Sequence, residues 1–361
     1  MGGLKEWLSD NLRYILIGLA IVLAGIVIVF AVKLTGGSGK KTSDSETGSQ
    51  TIETGTETQA QTETEEALTE NDLTVLETVQ KYYTAMGNKD LTEMIRKSFE
   101  SNAPMPAALH DICMQLYRQY LVVGGMPECV SLFAQTKDYV LVRHNQDTIL
   151  ASYLNDMSKY NNLNEIKKTR LAYDNITVQL SKKNTRFQYK LIKKGGRASE
   201  FENAIEWLNL SGIVSQVYKA EQIKKPLENY RDIDSFKIYV SDSGLLCAKK
   251  SLSAYDVLYM VDEINEFKGG MTENYVNVQL TINGHKTYYW ESDRGAEIDF
   301  IIQRASDIIP IEVKSADNTK AKSLGIYMKK FNPKYAIKLS AKNFGYEDNK
   351  KTVPLYAAFC I

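Results

Sequence analysis

Four residues near the C-terminal end, Glu273, Asp299, Glu312 and Lys314, have the types and spacing that could build one phosphate-processing site. The stretch AEIDFIIQ, Ala296 to Gln303, alternates Ile298, Phe300 and Ile302 with Glu297, Asp299 and Ile301, the period of a strand. The stretch IIPIEVKS, Ile308 to Ser315, predicts a second strand with Glu312 and Lys314 on one face and Ile311 and Val313 on the other. A short turn at Arg304–Asp307 makes the two a hairpin, which brings Asp299 beside Glu312 and Lys314. Upstream, TENYVNVQL (Thr272 to Leu280) predicts a helix with Glu273 near its start. Asp299 and Glu312 are candidate ligands for Mg²⁺, which prefers hard oxygen donors and keeps waters. Such an ion can activate a water and offset charge on a phosphate. Lys314 would orient that water or neutralise the phosphate, and Glu273 would complete the shell. E-x-K alone is a common solvated-face pattern, so the inference rests on its setting in two β-rich runs.

A second cluster lies upstream. Lys182, Lys183, Arg186, Lys190, Lys193, Lys194 and Arg197 stand with no acid among them and with Phe187 and Tyr189 interleaved. Such a patch attracts a phosphate backbone, with affinity falling as salt rises. Lys190, Lys193, Lys194 and Arg197 are the candidate nucleic-acid contacts, set against the plainer reading of a solvated face.

The four cysteines, Cys113, Cys129, Cys247 and Cys360, form no CxxC pair, which argues against a zinc site or a disulfide framework. The histidines, His110, His144 and His285, are scattered and read as structural. Net charge is zero, but residues 1–72 hold 5 Lys/Arg against 11 Asp/Glu, so the remainder carries the compensating positive excess.

The elements that must position these residues begin after a distinct front. Tyr14 to Val32 is almost wholly apolar and long enough for a bilayer core, so residues 1–35 predict a single-pass membrane anchor. Its flanking lysines and arginines do not settle the orientation, although a cytoplasmic C-terminal part is favoured. GGSGKKT, beginning at Gly36, fails as a phosphate loop: Leu34 stands where its first glycine belongs, and Lys41 where its Ser/Thr belongs. No ATP is expected. Residues 36–72 predict a disordered acidic linker.

Leu73, Leu76, Val79, Tyr83 and Met86 mark an amphipathic helix within 73–94, with Gly87 a candidate stop. It resembles the first helix of small NTF2-like or SnoaL-like domains. Residues 95–165 predict helices, with candidates at 106–123, 127–135 and 138–160. In 166–250 a helix marked by Phe201, Ile205 and Leu208 precedes two β-rich runs, 213–218 and 236–240, which suggests a winged-helix-like module.

From about Ile95 to Ile361 the chain resembles the C-terminal half of a prokaryotic family of AAA-type ATP-binding proteins, the domain of unknown function 4143. The resemblance is carried by YLVVGGMPECV (120–130), the long stretch 176–214, FKIYVSDSGLL (236–246), TENYVNVQL, RGAEIDFIIQ and IIPIEVKSADNTKAKSLGIYMKKFNP. It implies a PD-(D/E)XK nuclease-like domain over 251–361, with Asp299, Glu312 and Lys314 at the D…ExK positions and Glu273 as the helix glutamate. The ATPase core that the family places first has no counterpart here.

The expected fold class is therefore α+β: a transmembrane helix and disordered linker, a helical and winged-helix-like region, then an α/β restriction-endonuclease-like domain. The expected function is a membrane-tethered, nuclease-like protein without ATPase activity that binds nucleic acid or a protein partner. The alternative is a Mg²⁺-dependent nuclease.

Overall fold

The computed structural model describes residues 82–84, 86–159, 162–181, 186–315 and 322–361. All of them belong to one compact unit, Glu66–Ile361. Helices come first: α1 (Lys89–Ser101), α2 (Ala107–Val123), α3 (Pro127–Thr136), α4 (Tyr139–Asp156), α5 (Leu163–Leu180), α6 (Tyr189–Ile192) and α7 (Ala198–Leu210). Strands β1 (Val214–Ala220) and β2 (Arg231–Val240) follow, then α8 (Ser243–Lys249), α9 (Ala254–Tyr259) and α10 (Asn265–Ile282). The chain ends with β3 (Thr287–Glu291), β4 (Glu297–Arg304), β5 (Asp307–Val313), α11 (Lys322–Phe331), β6 (Ala336–Ser340), β7 (Gly345–Glu347), β8 (Lys350–Pro354) and a 3₁₀ turn, Leu355–Cys360.

Local chemistry sets several boundaries. Pro127 opens α3 at a position where a missing N–H costs nothing. Asp138 caps α4 by accepting from Val140 N at 2.7 Å, and Ser253 with Asp256 forms a capping box on α9. Gly87, at φ +81°, follows the helical residues 82–84, so the helix predicted over 73–94 is not continuous and α1 is a separate helix; residues 73–81 lie outside the described ones. Gly124, at φ +79°, ends α2, and a Cβ there would lie 2.4 Å from Asp242 Oδ1. That buried carboxylate accepts from Gly125 N and Leu245 N, both at 2.7 Å, so it joins the α2–α3 turn to the start of α8.

The eight strands form one mixed sheet in the order β2-β1-β3-β4-β5-β6-β8-β7. The predicted hairpin is present: β4 and β5 are antiparallel, with Arg304 opposite Asp307 and Phe300 opposite Ile311. The two strands expected to form a wing instead build one end of this sheet, because β1 pairs in parallel with β3 through Tyr218–Tyr288 and Lys219–Tyr289. Two apolar clusters cover the sheet. Phe300, Ile302, Ile309 and Ile311 belong to the large one, with Met271, Tyr275 and Leu280 of α10. Ile298, Ile301, Tyr288 and Trp290 belong to the smaller one, with Leu324 and Tyr327 of α11.

The expected fold class holds as α+β, but its transmembrane helix is corrected, and with it the single-pass membrane localisation. Among the described residues no helix is long and apolar enough to cross a membrane. The longest, α4, α5 and α10, have 18 residues each, and all carry charged side chains. These helices bury one stripe against neighbours and keep polar groups that a bilayer core would not solvate. The run Tyr14 to Val32 and the linker 36–72 lie outside the described residues.

The cysteines among the described residues are free. His110 bridges the Tyr356 hydroxyl and the Ala341 carbonyl, both at 3.0 Å, and His285 reaches the Ile361 carbonyl at 2.9 Å.

Candidate functional site

Helix α10 carries Glu273 and is unusually rich in buried amides, each of them engaged. Asn274 holds the end of β2 from both sides, accepting from Val240 N at 2.7 Å and donating to Val240 O at 3.0 Å. Asn277 donates to Ser215 Oγ at 2.7 Å and accepts from Thr287 Oγ1 at 3.1 Å. These bonds replace water for groups that would otherwise be costly to bury, and they fix the rotation of α10 against β1, β2 and β3. Glu273 is therefore held over the sheet by its own helix neighbours.

Asp299 sits where β4 is irregular. Tyr288 faces Ile301 and Trp290 faces Ile298, so Asp299 and Phe300 together oppose the single residue Tyr289. Such a bulge re-aims side chains, and bulges recur beside functional sites. On the other side the β4–β5 pairing ends at Phe300 and Ile311, just before Asp299 and Glu312. Val313 N, beyond the end of that ladder, donates instead to Asp299 Oδ2 at 2.7 Å. Strand β5 continues against β6, where Lys314 N donates to Leu339 O. Lys314 Nζ pairs with Glu312 Oε1 at 2.6 Å, while Glu312 Oε2 is buried with no hydrogen-bond partner.

Three further residues enter this cluster that the sequence reading did not select. Lys237 of β2, only 1% exposed, is ion-paired with Glu297 of β4 and lies 3.8 Å from Glu273 Oε2. Tyr239, two residues on and so on the same face of β2, donates to Glu273 Oε2 at 3.0 Å. A signal was present: a lysine inside the apolar run FKIYV either ends a buried strand or is buried with a partner. Its partners, however, stand 36 and 60 residues away in sequence, at Glu273 and Glu297.

All four expected residues share one electrostatic environment. Burial pushes Glu273 up to about 7; Lys237 opposes this, and Asp299 and Glu297 add to it. Burial and the Asp299 charge likewise push Glu312 up to about 7, against the pull of Lys314. Asp299 is raised by burial despite Lys237, Lys314 and the Val313 N–H. Burial lowers both lysines, but the carboxylates outweigh it: Glu312 and Asp299 raise Lys314, and Glu273, Glu297 and Asp299 raise Lys237. Four carboxyl groups thus face two ammonium groups.

The donor set can be tested against Mg²⁺. Among the described residues no group of three or more His, Cys, Asp or Glu is arranged to hold a metal ion. Mg²⁺ needs no such cage: one or two carboxylates suffice when water and substrate phosphate supply the other oxygens. Asp299 and Glu312 are a hard-oxygen pair with one orphaned oxygen, so they fit that mode.

The candidate nucleic-acid residues are elsewhere on the surface but connected. Lys190, Lys193, Lys194 and Arg197 are exposed, and Lys193 pairs with Glu200 at 2.9 Å. Lys182 and Lys183 lie outside the described residues. Arg186 forms an antiparallel bridge with Lys237, and Phe187 N donates to Phe236 O at 2.8 Å. The basic segment is thereby hydrogen-bonded to the edge strand that sends Lys237 into the acid cluster.

With this geometry in hand, the family comparisons divide the chain. Residues 268–358, which hold most of α10 and the β4–β5 hairpin, match the family described as Domain of unknown function (DUF4143). Residues 114–256, which hold β1, β2 and Lys237, match the family described as Domain of unknown function (DUF8612). The DUF4143 segment is therefore shorter than the resemblance over 95–361 implied. No curated protein and no solved structure matches the chain.

Proposed function

We propose that this protein binds nucleic acid through a nuclease-like domain and works without ATP, with its phosphate site built from Asp299, Glu312 and Lys314. The observation that carries this reading is the continuity between the two charged regions. The basic segment is hydrogen-bonded to β2, and β2 contributes Lys237 to the acid cluster. A phosphate backbone drawn to Lys190, Lys193, Lys194 and Arg197 would lie beside the edge strand that contributes Lys237 to the cluster. In this reading Lys314 meets the phosphate, and Tyr239 with Lys237 holds Glu273 in place. Asp299 and Glu312 would hold Mg²⁺, which when bound supplies positive charge for the phosphate and a more acidic water.

The test is duplex-DNA binding followed by fluorescence anisotropy across a range of salt. Changing Lys190, Lys193, Lys194 and Arg197 to Gln is expected to weaken binding about tenfold or more. It should also flatten the log–log salt slope by about 2 to 4, since each phosphate contact contributes roughly 0.9. An unchanged affinity and slope would reduce the cluster to a solvated face. If the unaltered protein shows no binding at all, a protein partner becomes the better reading.

A second reading, metal-dependent cleavage, is favoured by the orphaned Glu312 Oε2 beside Asp299. Mg²⁺ or Mn²⁺ is expected to raise the melting temperature, because a divalent ion offsets repulsion that Lys314 offsets only in part. Asp299→Asn should remove most of that rise while preserving the fold, since it deletes a charge at nearly constant volume. If the site cleaves DNA, Asp299→Asn and Lys314→Ala should each abolish cleavage. Metal stabilisation without cleavage leaves the binding reading alone.

A further inference from the structure

Lys237 does not belong to the segment that supplies the carboxylates. It comes from β2, in the 114–256 region, and crosses to acids of the 268–358 region and to Glu297, which lies in the same region. Its ammonium lies 3.8 Å from Glu273 Oε2, pairs with Glu297, and sits 5.1 Å from the centre of the Tyr289 ring. Lys314 is paired with a different acid, Glu312, at 2.6 Å. The acids are therefore split. Glu273 and Glu297 already have a cation between them, whereas Glu312 keeps an oxygen without a partner.

We propose that Lys237 is a built-in cation that excludes a divalent ion from the Glu273–Glu297 side, so that the site takes at most one divalent ion, at Asp299 and Glu312. The second half of this statement rests on the proposed phosphate site; the exclusion does not. The physical basis is competition for one set of oxygens. A tethered ammonium is held at high effective concentration, and a divalent ion must displace it and lose water to bind. Lys237 is accordingly a positioning residue, and the N-terminal part of the fold decides how many ions the C-terminal part can hold.

The experiment is a Mn²⁺ titration of the full chain, with free Mn²⁺ read by electron paramagnetic resonance. Lys237→Met is expected to bind one equivalent more than the unaltered protein. Lys237→Arg should bind no more than the unaltered protein, and Lys237→Met with Glu297→Gln should lose the added equivalent. If the unaltered chain takes none and Lys237→Met takes one, the exclusion stands and the Asp299–Glu312 metal reading falls. If both take one, the exclusion falls and that reading stands; if both take none, both fall. Should Lys237→Met be unfolded without metal, recovery of a native melting transition in Mn²⁺ supports the proposal. Failure to recover at any Mn²⁺ concentration overturns it.

Discussion

Gly270→Ala is expected to cost about 3 kcal/mol of folding stability, the upper end of what overpacking costs. A Cβ built on Gly270 would lie 2.0 Å from the carbonyl oxygen of Leu180, the last residue of α5. That atom is backbone, so no side-chain rotation relieves the clash; α10 and α5 must move apart. The adjacent Gly269 is the internal control, because a Cβ there meets nothing within 4 Å. Gly269→Ala should be neutral or stabilising by up to about 1 kcal/mol, since alanine has the better helix propensity. Urea denaturation of the two variants measures the difference, and equal effects would show that the close approach of α5 and α10 is not as described. The consequence reaches the site, because Glu273 lies one turn along the same helix. Whatever metal or DNA response the unaltered chain shows should weaken in Gly270→Ala even where the variant remains folded.

Stability is expected to fall as pH rises from 5 to 8. Glu273 and Glu312 are held at about 7 in the folded chain, above their ordinary value of 4.5. Below 4.5 each carboxyl is protonated in both states, and its contribution to stability is fully present. Between 4.5 and about 7 the unfolded chain ionises while the folded chain keeps its protons, so folding loses ground. Above about 7 both states are ionised, and the loss levels off. A shift of this size corresponds to something on the order of 3 kcal/mol for one carboxyl. Glu312→Gln should flatten the profile, and at pH 8 should be more stable than the unaltered chain by about 1 kcal/mol or more. Any stabilisation by Mn²⁺ should grow over the same interval, because binding requires the deprotonated carboxylates. Chemical denaturation at half-unit pH steps provides the measurement; a flat or rising profile from pH 5 to 8 would contradict the buried acid cluster.

What the sequence determined by itself is the local geometry of the site. Alternation along Ile308–Ser315 specifies which side of that strand a residue takes, whereas along Ala296–Gln303 it holds only up to the bulge; the short turn at Arg304–Asp307 specifies the hairpin that joins them. Those rules are short-range, so they bring Asp299, Glu312 and Lys314 together without knowledge of the rest of the chain. The helix end at Gly87 was legible for the same reason, since a positive φ is a property of one residue and its neighbours. The tertiary structure alone decided that β1 and β2 extend the same sheet, because the Tyr218–Tyr288 pairing joins residues 70 positions apart and leaves no periodic trace. It also decided the bulge at Asp299, which depends on how β3 meets β4. Lys237, Tyr239 and Glu297 join the cluster through that long-range pairing and the amide bonds of α10. Alternation predicts the face of the sheet to which Lys237 points; only the closed fold determines which acids meet it there, because that depends on which strands lie side by side.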